Sequence, residues 1–212
     1  MKKIILFTII FTTGCEDSNN HNDSHNSNLL FVSSEGTYGN GDGSISVFSD
    51  NEKIQTVEEV GDVVQSIIVN NDHLFVISNN SHKIKRYTIT ESGLNLPGIE
   101  IETSNSSPRE MVIVDDKLYF TNWNSRDVKV LDLVTYSITS AIILDGVPED
   151  IVSDGDFLWV SIPMLELYDG NNGSSVLKID IESESVVTTY EVGRGPEHML
   201  IENDELWVSR TF

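Results

Sequence analysis

Val147-Pro148-Glu149-Asp150-Ile151-Val152-Ser153-Asp154-Gly155-Asp156-Phe157-Leu158-Trp159-Val160-Ser161 is one copy of a pattern that recurs along this 212-residue chain. Its last part returns as Leu30-Phe31-Val32-Ser33, Leu74-Phe75-Val76-Ile77, Leu118-Tyr119-Phe120-Thr121 and Leu206-Trp207-Val208-Ser209. The intervals between copies are 44, 44, 40 and 48 residues. Its first part returns as Pro108-Arg109-Glu110-Met111 and Pro196-Glu197-His198-Met199, with Val63-Val64-Gln65-Ser66 in the same place without the proline. Two phrases in fixed order at a fixed period mark a structural repeat.

Each period reads as four short strands. In the third, Glu110 to Val114, Leu118 to Asn122, Val128 to Leu133 and Ser137 to Leu144 are separated by polar turn residues such as Asp115-Asp116. β-Branched and aromatic residues dominate these runs, and no helical 3.6-residue period appears after residue 28. A four-stranded unit of this length is the size of a β-propeller blade. The expected fold is therefore all-β, with about four blades between residues 29 and 212. Naming the strands of a blade A to D, the chain opens on a B strand at Leu30 and ends on A and B strands at 197–201 and 205–210. That phase predicts the N-terminal part of a larger, seven-bladed propeller.

The first 28 residues stand apart. Lys2-Lys3 followed by the apolar run from Ile4 to Phe11 has the form of a signal peptide over residues 1–14 and is too short to span a bilayer. Cys15, the only cysteine, cannot form an internal disulfide. Residues 16–28 hold no apolar side chain, so 15–28 reads as a disordered polar tether, with His21 and His25 solvated in it rather than binding metal. The chain carries 13 Lys and Arg against 34 Asp and Glu, a formal net charge of −21. Nucleic acid and anionic lipid surfaces would be repelled, so no nucleic-acid partner is expected.

The phrases at 147–161 and 195–209 resemble the YVTN-type β-propeller repeat, whose pattern runs Gly-x-x-Pro, an apolar strand, an Asp/Gly turn and an apolar-aromatic strand. Leu30 to Gly36 followed by Asn40-Gly41-Asp42-Gly43-Ser44-Ile45-Ser46-Val47 resembles the first blade of Bacteroidetes surface lipoproteins of this class. Thr12-Thr13-Gly14-Cys15 resembles a bacterial lipobox, with Thr12 where that pattern has Leu, and Glu16-Asp17 resembles an acidic surface-export signal. The resemblance implies an exported lipoprotein held at the outer membrane or cell surface by lipid on Cys15.

The repeat's phase puts the D-to-A and B-to-C connections on one face. That face is expected to carry Tyr38, Arg109, Glu110, Trp123, Glu149, Asp150, Glu197 and His198 as an acidic, aromatic-lined funnel for a small molecule, glycan or protein. The long insertion from Ile162 to Gly173 lies on the same face. A carboxylate after the proline can instead serve the fold by accepting backbone N–H groups. Trp159 and Trp207, inside B strands, are expected in the core, whereas Trp123 between two asparagines is expected in a loop. Glu197-His198 resembles the Glu and His pairs of propeller lyases that open streptogramin lactones, which makes a lyase or lactonase the alternative to a binding scaffold. A purely structural interaction module is the third reading. No cofactor is expected, although Glu110, Glu149, Asp150 and Glu197 offer the oxygen ligands that suit calcium.

Overall fold

The computed structural model describes residues 29–211. The signal peptide over 1–14, Cys15 and the tether over 15–28 lie outside the described residues. All of the regular structure is β. Strands β1 (Leu29–Ser34), β2 (Gly43–Ser49) and β3 (Glu52–Gly61) form an antiparallel sheet in that order. Strands β4 (Val64–Asn70), β5 (His73–Ser78), β6 (Lys83–Thr90) and β7 (Gly93–Glu102) form the next. Then come β8 (Pro108–Val114), β9 (Lys117–Asn122), β10 (Asp127–Asp132) and β11 (Ser137–Ile143), and after them β12 (Ile151–Ser153), β13 (Phe157–Ile162), β14 (Ser175–Asp180) and β15 (Ser185–Glu191). β16 (Pro196–Glu202) and β17 (Glu205–Arg210) form a hairpin. The repeat period therefore maps onto consecutive four-stranded meanders, as the sequence predicts, with the predicted boundaries shifted by at most two residues.

The chain divides into two compact units, 29–80 with 85–100, and 81–84 with 101–211. In the first, Phe31, Ile45, Val47, Val57, Leu74, Val76 and Tyr87 make the core. In the second, Tyr119, Val128, Val130, Leu158, Val160, Ile162 and Ile179 are buried together. The aliphatic members occupy alternate positions, 128 and 130 on β10 and 158, 160 and 162 on β13, as the period-two geometry of a strand requires.

The recurring phrases do two different jobs in the second unit. At the entry of β8 the pairing steps from Pro108 opposite Asn122 to Met111 opposite Phe120, leaving one extra residue on β8. β16 repeats the step between Pro196 and Met199. Before β12, Glu149 N–H donates to the Ser161 carbonyl at 3.0 Å and Ser161 N–H donates to the Asp150 carbonyl at 3.0 Å, so two residues again face one. These are β-bulges, which re-aim side chains at a strand end.

The residue facing each bulge is the hydroxyl that ends the B-strand phrase. Thr121 Oγ1 accepts from Glu110 N–H at 3.1 Å and donates to the Glu149 carbonyl at 2.7 Å. Ser161 Oγ accepts from Asp150 N–H at 3.0 Å and donates to the Glu197 carbonyl at 2.8 Å. One small side chain thus closes its own bulge and bonds the bulge of the next blade. Ser209 Oγ accepts from His198 N–H at 3.0 Å and donates to the His198 carbonyl at 3.1 Å, within its own hairpin.

Asp150 supplies a second strap. Its carboxylate accepts from Ile151 N–H at 2.8 Å and from Met199 N–H at 2.6 Å, the latter on β16. Burial raises its pKa, while the Met199 and then the Ile151 N–H groups pull it back down. Asp150, expected in the funnel, is instead a buried inter-strand link; the carboxylate-for-the-fold alternative holds at this position.

Two tryptophan expectations need correcting. Trp207 is 58% exposed, because no described strand covers the β17 face that carries it. Trp159 is only half-buried: its indole N–H donates to Asp154 at 2.9 Å and its ring lies 5.7 Å from Tyr190.

Replacing Ser161 by Ala strands the buried Asp150 N–H and is expected to cost about 1–3 kcal/mol in urea unfolding. Ser209→Ala, on an exposed hairpin, is expected to cost less than about 0.5 kcal/mol. Asp150 predicts a pH dependence as well. With its folded pKa above the usual 3.8, the folded state binds the proton more tightly than the unfolded chain. Its contribution to stability therefore grows as pH falls towards 3.8 and is lost as pH rises through the folded value. Against Asp150→Asn, which cannot titrate, the native chain should gain unfolding free energy on going from about pH 7 to about pH 4.5.

Candidate functional site

Each bulge also has a first residue, one position before the one whose N–H donates to the hydroxyl. Arg109, Glu149 and Glu197 hold this position in three successive repeats, and all three line one cavity of about 310 Å³ within the second unit. Trp123, Pro163, Met164, Tyr168, Gly170 and Asn171 complete its wall. Its volume is at the small end of ligand pockets.

Glu149 is the centre of the polar side. It is 4% exposed, and its Oε1 accepts from the Arg109 guanidinium at 2.5 Å from Nη2 and 3.2 Å from Nε. Its Oε2 accepts the Trp123 indole N–H at 2.8 Å. Arg109 also lies over the Trp123 ring, with Cζ 4.0 Å from the centroid, a cation–π contact. Arg109, Trp123 and Glu149 therefore satisfy one another. Removing one partner of such a buried pair costs about 3–5 kcal/mol, so the cluster is rigid. Burial corrects one expectation: Glu149 is not an exposed funnel carboxylate but the buried anchor that fixes Arg109 and Trp123.

Trp123 takes its place from the chain around it. It follows β9 in a turn, as expected, where its N–H donates to the Ser107 carbonyl at 3.0 Å and Asn124 N–H donates to Ser106 at 2.9 Å. Asn122, just before Trp123, is fully buried and donates to the Phe120 carbonyl at 3.0 Å.

Tyr168 is the site residue that sequence reading did not single out. It sits 82% exposed in the insertion between β13 and β14, with its ring 6.1 Å from Trp123 at an interplanar angle of 89°. The insertion is tied down from inside. Asp169 Oδ2 accepts from Leu165 N–H at 2.9 Å and from Glu166 N–H at 3.1 Å, and Oδ1 accepts from Asn172 N–H at 3.1 Å. These backbone donors, Asn172 first, hold the Asp169 carboxyl below its ordinary range. Arg194 donates to the Gly170 carbonyl at 2.7 Å and to the Asn171 carbonyl at 3.0 Å. Where the insertion closes, a Cβ on Gly173 would lie 2.7 Å from Met164 N, so only glycine fits. Asn172 also donates its side-chain N–H to the Asp169 carbonyl at 2.7 Å, which closes this bend. The one available signal for Tyr168 was an aromatic residue inside the insertion that lengthens the last period to 48 residues.

The remaining predicted residues separate. Glu110 is half-buried at the β8 bulge. Tyr38, 72% exposed on the turn after β1, belongs to the first unit. Cys15 lies outside the described residues. Glu197 and His198, adjacent in sequence, part at the bulge. Glu197 lines the Arg109–Trp123 cavity, whereas His198 lines a shallow recess with Met199, Leu200, Trp207, Val208 and Ser209. His82 accepts from Ser107 N–H at 3.1 Å, and His73 lies 3.1 Å from Asp72. Among the described residues no group of three or more His, Cys, Asp or Glu is arranged to hold a metal ion.

Neither a family model nor a curated protein sequence matches this chain. Solved structures do. Hydrazine synthase of Kuenenia stuttgartiensis aligns over 81% of this chain at 18% identity and a TM-score of 0.65. A protein of unknown function from Bacteroides caccae aligns over 85% at 12% identity and 0.62, and the WD40 β-propeller domain of Doa1 over 86% at 10% identity and 0.64. The chain spans 47%, 66% and 57% of those three chains, respectively. Identities this low carry the fold alone, and the fold is that of consecutive four-stranded β-propeller blades.

Proposed function

We propose that this chain is a binding scaffold of the YVTN propeller type, exported and tethered at the cell surface through lipid on Cys15. Its ligand enters the cavity walled by Arg109, Trp123, Glu149, Tyr168 and Glu197. The observation that carries the binding reading is the mutual satisfaction of Arg109, Trp123 and Glu149. A buried ion pair, with Nη2 on Oε1 and Nε also 3.2 Å from Oε2, that fixes an indole beside an open cavity is a preorganised wall, and preorganisation lowers the cost of binding. A concave site of about 310 Å³ favours a small molecule or one residue of a larger partner over a flat protein interface. The lyase reading draws less support, because Glu197 and His198 line different cavities.

The test is a small-molecule and oligosaccharide screen by thermal shift on the full chain. A true ligand should raise the melting temperature of the native protein and of His198→Ala, but not of Tyr168→Ala. A hit that is turned over by the native protein and not by His198→Ala would establish the lyase instead. Anchoring has its own readout: metabolic labelling with palmitate should mark the native chain and not Cys15→Ser.

A further inference from the structure

We propose that the ligand of this cavity carries an ammonium head group, bound between the aromatic pair Trp123 and Tyr168 and the carboxylate of Glu197. This rests on the binding reading above and adds the ligand's chemistry.

The charges in the cavity lead to this assignment. Arg109 and Glu149 cancel in charge, and hydrogen bonds hold them to each other and Glu149 to Trp123. Glu197 is different. Its backbone carbonyl accepts from Ser161, but among the described residues no hydrogen bond or ion pair holds its carboxylate. The half-buried cavity wall therefore presents one uncompensated negative charge. An anionic ligand would meet that charge, and the net −21 of the chain, without a cation left to receive it.

A neutral polyol fits less well for a separate reason. Recognising several hydroxyl groups needs several directed donors and acceptors. Part of the remaining polar wall is already committed: Asn171 donates a side-chain N–H to Thr211 at 3.2 Å, and its backbone carbonyl receives Arg194. An alkylammonium group needs no such array. It needs aromatic surface, apolar contact and one anionic counter-charge. Trp123 and Tyr168 set at 89° form a corner of aromatic surface, Pro163 and Met164 add apolar wall, and Glu197 supplies the charge.

The experiment uses choline, its uncharged isostere 3,3-dimethyl-1-butanol and methyl β-glucoside, each titrated into the full chain while the Trp123 indole N–H is followed by NMR. Choline is expected to shift that resonance and to bind about tenfold or more tightly than the isostere, the range of one charge-assisted contact. Glu197→Gln should remove this preference while leaving the weak isostere binding in place. Tyr168→Ala should weaken both. Equal binding of choline and the isostere, a preference that survives in Glu197→Gln, or a shift by the glucoside alone would overturn the ammonium assignment and leave the cavity a binding site. If none of the three probes shifts Trp123, the ammonium assignment also falls. The wider screen, with its dependence on Tyr168, then decides separately whether the cavity binds anything.

Discussion

Ser161 Oγ takes a hydrogen bond from the first strand of its own blade and gives one to the first strand of the next, and Thr121 does the same one repeat earlier. The rest of the second unit depends on this arrangement. A bulge at a strand entry leaves backbone groups without a ladder partner, and a buried unpaired N–H is costly. A side-chain hydroxyl is the smallest group that can accept from one bulge and donate to the next. Its use at successive repeats brings β8, β12 and β16 into succession with their bulges aligned.

The aligned bulges in turn separate two sets of side chains. The second bulge residue serves the fold, most clearly in Asp150, which crosses to Met199 N–H. The first faces the cavity, and so Arg109, Glu149 and Glu197 meet although they are 40 and 48 residues apart. Within that set the order of charges decides the chemistry. Arg109 beside Glu149 makes a closed pair that can be buried, because each charge answers the other. Glu197 follows, and among the described residues no hydrogen bond or ion pair holds its carboxylate. The same backbone device therefore yields an inert wall on one side of the cavity and an open charge on the other.

Much of this is legible in the sequence, and what is not has identifiable causes. The B-strand phrase and the Pro-x-x phrase place the strands because alternation of apolar side chains and turn-forming Asp, Asn and Gly are local signals. The convergence of positions 109, 149 and 197 follows from the period alone. Burial does not. Glu149 and Trp207 show the gap in opposite directions: a carboxylate that looks like surface is 4% exposed, and a strand tryptophan that looks like core is 58% exposed. Both depend on what packs over them. Tyr168 was hidden for a different reason, since its insertion has no counterpart in the other repeats to compare with.

The sequence by itself determined the all-β character, the four-stranded unit, its period and the set of repeat-equivalent residues at the head of each blade, because all of these are functions of spacing along one chain. The tertiary structure alone decided which member of each equivalent set is spent on the fold and which faces the cavity. Asp150 and Glu149 are neighbours with the same charge, yet one binds a backbone N–H of the next strand and the other an arginine and an indole. A one-residue bulge interrupts the regular alternation and re-aims the side chains at the head of the strand, and hydrogen bonding and burial then assign each its partner through contacts that no local pattern encodes.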